Sequence, residues 1–201
     1  MFYEPQYGHG LPHDPFKSLI VPRPIGWIST IDRVGRSNLA PYSFFNAMST
    51  HPPCVAFGAG SRAGGAVKDS CRNAEETGCF VVNLATYAMR EAVSISGGFF
   101  PPGASEFDAA GVEVVPSRIV SAPRVKGAPV HLECTYLKTI ELPSFDDLQN
   151  IVVFGQVVGV HIDDSLLVDG RVDIARAQPI ARLGYADYAL LGEIFELPWR
   201  E

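Results

Sequence analysis

Two long strand-like segments near the middle of the chain limit the folds open to it. Across Val130–Leu142 one side reads Val130, Leu132, Cys134, Tyr136, Lys138, Ile140 and Leu142. The other side reads His131, Glu133, Thr135, Leu137, Thr139 and Glu141. Apart from Lys138 and Leu137 this is the period-2 pattern of a half-buried antiparallel strand. Residues 151–162, by contrast, are apolar on both faces and carry Gly155 and Gly159. A strand apolar on both sides in a mostly antiparallel protein needs a cover outside as well as a core inside. One face can fill a barrel. The other, with Val152, Phe154, Val158 and Val160, is expected to meet a second copy of the chain, making a homodimer.

The rest of the chain supplies short strands and peripheral helices. Residues 1–17, rich in Pro, Gly and His, read as an arm. Residues 19–31 are β-branched and aromatic, with Pro22 and Pro24 confining their first part to an edge or bend. Asp32-Arg33-Val34-Gly35 reads as a hairpin turn, from which residues 37–49 return as a strand. Pro52-Pro53 breaks the chain before a short buried run at 54–58. Asp69 as N-cap and Gly78 as C′ residue frame a helix over 70–77. A strand at 79–85, a helix at 86–96, a loop at 97–103 and a helical turn at 105–110 follow. Neither a repeat nor a linker divides the 201 residues. The expected fold is therefore one domain, mainly β with peripheral helices, closed as an antiparallel barrel.

Charge and composition narrow the partners. A net charge of −6 and a pI near 5.3 argue against nucleic acid or an anionic membrane, both of which select an electropositive face. No window approaches the ~18 apolar residues of a membrane span. The first ten residues, MFYEPQYGHG, have neither the basic nor the apolar region of a secretory signal, so a cytoplasmic location is expected. Cys54, Cys71, Cys79 and Cys134 are irregularly spaced with no C-x-x-C, which reads as reduced, mostly buried thiols.

Few motifs carry side-chain chemistry. Gly58-Ala59-Gly60-Ser61-Arg62-Ala63 matches the dinucleotide pattern G-x-G-x-x-A. A Rossmann unit alternates strands with helices, however, and residues 112–162 offer strands alone, so a glycine-rich loop is the competing reading. Lys68 is not preceded by the glycine of a phosphate-binding P-loop. Lys68-Asp69-Ser70 does pair a cation with a hydroxyl at a helix start, where backbone N–H groups and the helix dipole favour an anion. Ser61 and Arg62 could converge on the same phosphate; an ordinary capped helix with solvated charges also fits. Ser43-Phe44-Phe45-Asn46 suits a flat heteroaromatic ring with polar edges, and equally suits core packing. His9 and His13 stand four apart, but Gly10 and Pro12 oppose the helix that would aim both at a metal. His51 reads as a turn residue. The absence of a nucleophile motif favours a protein that lends its site to a cofactor.

Taken together, Arg23-Pro24-Ile25-Gly26-Trp27-Ile28-Ser29-Thr30, the stretch 38–46 (NLAPYSFFN), Pro52-Pro53, Lys68-Asp69-Ser70, the stretch 80–84 (FVVNL) and the stretch 182–188 (RLGYADY) resemble the flavin reductase-like family. That family has the FMN-binding split-barrel fold and includes the nitrilotriacetate monooxygenase reductase component and flavoredoxin. The resemblance spans residues 9–198. It implies a homodimer with FMN at the subunit boundary, with Ser29 and Thr30 beside the flavin and Ser43, Phe44, Phe45 and Asn46 along its ring. Ser61, Arg62, Lys68, Asp69 and Ser70 would surround the phosphate. The implied activity is transfer of reducing equivalents from NADH or NADPH to flavin, and then to an oxygenase or another acceptor. A non-catalytic flavin carrier, or a flavoenzyme with its own small organic substrate, stays open at this point.

Overall fold

The computed structural model describes residues 1–60, 66–101, 104–144 and 149–198. A 3-10 turn (Pro5–Tyr7) and a single helical turn, α1 (Phe16–Leu19), lead into β1 (Arg23–Pro24), β2 (Gly26–Ile31), β3 (Ser37–Tyr42), β4 (Phe45–Thr50) and β5 (Pro53–Gly60). Helix α2 (Asp69–Thr77) and strand β6 (Cys79–Leu84) come next, then α3 (Arg90–Ser96), α4 (Glu106–Ala110), β7 (Val114–Val115) and β8 (Arg124–Val125). The long pair β9 (Val130–Leu142) and β10 (Asn150–Ile162) precedes β11 (Leu167–Val168), β12 (Arg171–Val172), α5 (Ile174–Ala177), β13 (Ile180–Arg182) and β14 (Tyr188–Leu190).

Seven strands form one antiparallel sheet in the order β3-β2-β6-β9-β10-β5-β4. Its two edge strands, β3 and β4, are consecutive in the chain and joined only by Ser43 and Phe44. The sheet therefore curls until its edges meet at that corner. Ile28, Tyr42, Phe57, Phe80, Cys134 and Val153 converge inside, and Cys71 and Ala74 of α2 close one end. The Tyr42 and Phe57 rings, from the first and the sixth strand of that order, lie 4.9 Å apart across the interior. Two glycines make room for this closure. A Cβ on Gly26 would stand 2.7 Å from Cδ2 of Phe45, and one on Gly155 would overlap the Phe80 ring.

A second core covers the outside of β2 and β3, where Trp27, Leu39, Val93, Phe107 and Val125 pack together. Trp27 Nε1 donates to Ser96 Oγ of α3 at 2.9 Å, which satisfies its one polar atom in a fully buried position. Arg23 and Pro24 pair with Arg182 and Ala181 in a separate three-stranded sheet, β1-β13-β14.

Several sequence expectations hold and several shift. The alternating segment is β9, with the bounds read from the sequence. Its two exceptions mark a bulge: Gly155 faces Tyr136 while Phe154 faces Lys138, so Leu137 is the extra residue. Beyond it Lys138 and Ile140 lie on the opposite face from Tyr136 and Cys134. A second irregularity at Val158 pairs Val160 with Leu132 on the barrel side. The single apolar face Val152, Phe154, Val158, Val160 is thus corrected, because each extra residue inverts the alternation. The outward apolar group is instead Ile140 and Leu142 of β9 beside Val152 and Phe154 of β10.

The strand expected over 37–49 is two strands, since one straight segment cannot occupy both edges of a closing sheet. The strand expected over 19–31 begins at Arg23, because Leu19 ends α1 and the prolines interrupt the ladder. Helix α2 starts at Asp69 with Lys68 as its N-cap residue, displacing Asp69 from the capping role. Asp69 pairs with Arg72 one turn on, and Gly78 ends the helix at φ 74°. No helix among the described residues is long and apolar enough to cross a membrane.

Candidate functional site

The seam where the sheet closes opens outward as a cleft of about 590 Å³. The Tyr42-Ser43-Phe44 corner and the end of β5, Gly58-Ala59-Gly60, form its inner wall, and Lys68 reaches it from the start of α2. Gly58 N–H donates to Phe44 O at 2.6 Å, which pins the corner to β5 and leaves the Phe44 ring half exposed. Lys68 Nζ lies 5.3 Å from the Tyr42 ring centroid and the Arg23 guanidinium 5.8 Å from that of Phe44. These are cation–π distances.

The outer wall comes from the arm, through Pro12, His13, Asp14 and Lys17, and from Arg182, Leu183 and Tyr185 around the β13–β14 turn. Among the described residues, four Lys and Arg side chains and one carboxylate line this cleft on a chain of net charge −6. Burial, together with the charge of Arg182, lowers the Arg23 pKa from its ordinary value. Such local excess of one sign in a concave site attracts anions.

The residues singled out from the sequence separate into two groups. Ser43, Phe44 and Lys68 meet in the cleft. Ser29 and Thr30 do not reach it: both are fully buried. Ser29 Oγ donates to Pro123 O at 2.5 Å, and Thr30 Oγ1 accepts from Asn73 Nδ2 at 3.2 Å. Ser70 is buried against Asn38, 2.8 Å away, while Asp69 turns toward Arg72. Phe45 packs against the barrel core, and Asn46 Oδ1 accepts from Ala47 N at 2.8 Å. Ser61 and Arg62 lie outside the described residues.

Arg23, Arg182, Tyr185 and the arm residues line the cleft as well, and the sequence reading did not single them out as candidates. The available signal was an arginine set between Pro22 and Pro24 in an otherwise apolar stretch. Of the histidines, His9 Nδ1 accepts from Leu11 N at 3.0 Å, His13 meets the Tyr185 ring edge-on, and His51 sits in an exposed turn beside Thr50. Burial pushes the Cys71 thiol up to about 12 and the Cys134 thiol higher still. Neither supplies a nucleophile at neutral pH.

A barrel closed on a cationic, aromatic-walled seam defines the class of fold, and comparison with known proteins defines the family. Residues 18–177 match the flavin reductase like domain, and the chain belongs to that family. An uncharacterized protein of Aquifex aeolicus is 38% identical over 167 residues, 83% of each chain. Nitrilotriacetate monooxygenase component B from Bacillus cereus superposes with a TM-score of 0.89 at 33% identity, covering 98% of both chains. A Shewanella frigidimarina protein described as a flavin reductase with a split barrel domain shares the fold at a TM-score of 0.81 and 20% identity, over all of both chains.

Proposed function

We propose that the chain is an FMN-binding oxidoreductase of the flavin reductase type, working as a cytoplasmic homodimer. It would take electrons from NADH or NADPH and pass them to an oxygenase or another acceptor. The observation that carries the reading is the placement of Lys68 beside the half-exposed Phe44 ring and the open Gly58–Gly60 backbone. FMN combines a phosphate monoester, carrying close to two negative charges at neutral pH, with a flat tricyclic ring, and this inner wall offers a partner for each. Near Gly60, an added Cβ would find no atom of the described residues closer than 3.9 Å, which leaves the main chain there open to a ligand on that side. Lys68 and the start of α2 would hold the phosphate, and Phe44 and Ser43 would lie along the ring. Bound flavin supplies the hydride- and electron-accepting chemistry that these side chains lack. Lys68 orients the cofactor, while the Tyr42-Ser43-Phe44 corner excludes water from one side of it.

The similarity to component B of a monooxygenase supports an oxygenase as acceptor. The outward apolar group of Ile140, Leu142, Val152 and Phe154 supports self-pairing, because a chain that leaves such a strip uncovered favours burying it against a copy. Anaerobic titration of the purified protein with FMN, then with NADH and NADPH, tests the reading. The expected result is flavin uptake at micromolar concentration and bleaching by one of the two donors. Recovery of FAD from the heat-denatured protein, or no uptake of FMN, would overturn it. Lys68→Ala should weaken FMN by about 1.5–3 kcal/mol, the worth of one charge-assisted hydrogen bond.

A further inference from the structure

Helix α2 closes one end of the barrel and carries Lys68 at its start, so whatever sets the position of the helix sets that of the lysine. Its apolar side, Cys71 and Ala74, packs into the barrel core. Apolar packing is non-directional and tolerates small slides along the helix axis. Hydrogen bonds tolerate them poorly, because their lengths and angles are narrow. Two such bonds fasten α2. Asn73 Nδ2 donates to Thr30 Oγ1 of β2 at 3.2 Å. Ser70, one turn earlier, meets Asn38 of β3. Asn38, Ser70 and Asn73 are all buried.

The bond at Ser70 is one link of a longer run. With the Asn38 amide turned to answer both neighbours, its Oδ1 accepts from Ser70 Oγ at 2.8 Å and its Nδ2 donates to Glu106 Oε1 at 3.2 Å. Glu106 is the first residue of α4 and only 7% exposed. Phe107, the next residue, is held in the second core with Trp27 and Leu39, so the carboxylate stands on a fixed support. Burying a carboxylate is costly unless donors face it, and a charged acceptor makes a stronger bond than a neutral one. The run Glu106–Asn38–Ser70 therefore ties the first turn of α2 to α4 by way of β3.

The same strand also locates Lys68. Tyr42 lies four residues after Asn38 on the same face of β3, and Lys68 Nζ stands 5.3 Å from its ring centroid. The first helical bonds of α2 run from Cys71 and Arg72 N–H to Lys68 O, so the Ser70 N–H precedes the ladder at the open end of the helix. Tyr42 and Lys68 line the cleft, whereas Glu106, Asn38 and Ser70 are not among its described lining residues. The run acts from behind the site.

We propose that Glu106, acting through Asn38 and Ser70, is a positioning residue for the phosphate end of the flavin site. It fixes where α2 begins, and with it the lysine and the first N–H groups that would receive a phosphate monoester. The inference rests on the flavin reading and deepens it, tying phosphate recognition to a carboxylate outside the cleft.

The test titrates the purified protein with FMN and with riboflavin, which has the same ring and lacks the phosphate. The unaltered protein should prefer FMN. Glu106→Ala and Ser70→Ala should each weaken FMN about tenfold and leave riboflavin within about twofold, the scale of one disturbed charge-assisted hydrogen bond. The double variant should be no weaker than either single one, because both cut the same run. Glu106→Gln keeps an acceptor oxygen for Asn38 Nδ2 and should return FMN to within about threefold of the parent. A role confined to stability would lower Tm and leave the preference for FMN over riboflavin unchanged. The positioning role is overturned if either single variant keeps the parent preference, if both flavins weaken equally, or if the losses add in the double variant. Should Glu106→Ala fail to fold, Ser70→Ala decides the matter by the same ratio. An unaltered protein that binds neither flavin strikes the flavin reading and this inference with it. An unaltered protein and a Glu106→Ala variant with the same preference for FMN strike this inference alone.

Discussion

Two regions of this barrel gather polar side chains, and they treat them in opposite ways. On the outer surface of β6, β9 and β10, the carboxylate of Glu133 is fully buried. It accepts from the backbone N–H groups of Arg118, Ile119 and Val120 at 2.7–3.1 Å and from His161 Nε2 at 2.5 Å. Asn83 beside it accepts from Val125 N and donates to Trp27 O and Ser29 Oγ. These bonds fasten the covering segment 116–125 to the barrel. In the cleft, among the described residues, the cations outnumber the carboxylates and aromatic rings stand half exposed, while each region keeps one buried nitrogen without a partner, Arg23 Nε in the cleft and His131 Nδ1 beside Asn83. Polar groups that answer one another hold a fold together, whereas polar groups left in excess at a concave surface mark a place for something else.

That contrast breaks if a substitution in the satisfied region alters ligand affinity, or if one in the cleft alters stability. The largest effect expected is from Glu133→Ala, which strands three backbone donors and His161. Its cost should be about 3–5 kcal/mol, read as a fall of roughly 10 °C in Tm for a chain of this size. The folded fraction should bind FMN as before. A Tm within about 2 °C of the parent would show that segment 116–125 is held by other means.

Next in size is the acid response of the same region. Burial, aided by the charges of Arg124 and His161, lowers His131 to about 4 despite the opposing pull of Glu133. The folded form thus binds this proton less readily than the unfolded chain. Its contribution is complete above pH 6.5 and is lost progressively as pH falls toward 4. Urea unfolding from pH 7 to pH 4 should show declining stability, with His131→Leu flattening that window. For Glu133 burial alone would raise the pKa, but the three N–H donors and His161 hold it at about 2. Its contribution is complete above the unfolded value near 4.5 and is lost between there and pH 2. A Glu133→Gln variant should therefore lose pH dependence only in that lower window.

The smallest expected effect sharpens the comparison from the other side. Lys126 and Glu113 form a 2.8 Å ion pair with both side chains mostly exposed. Lys126→Ala should change stability by less than about 0.5 kcal/mol and leave ligand binding untouched. A larger loss would mean that paired charges anchor the cover even without burial.

Much of this architecture was legible from residues 130–162, because side-chain alternation along a strand reports which faces are buried. The exceptions at Leu137 and Lys138 were visible as well. Their meaning as a bulge was not, since a bulge is a relation between two strands and the pattern records only one. Lys68, Ser43 and Phe44 could be picked out because cations at helix starts and aromatics at strand ends have local reasons to bind flat anions. Ser29 and Thr30 carry similar groups, yet the closing sheet turns one toward Pro123 and the other toward Asn73.

By itself, the chain determined its strands, its helix ends and the chemical kinds of residue available to a site, since period, propensity and capping act over a few neighbouring residues. Tertiary structure alone decided that β3 and β4 meet at the Ser43-Phe44 corner. It likewise brought Arg23 and Arg182 into register across β1 and β13 and set Tyr185 against the arm. Those outcomes depend on how a twisted sheet closes and on which distant segments then collide, and no local pattern carries that information.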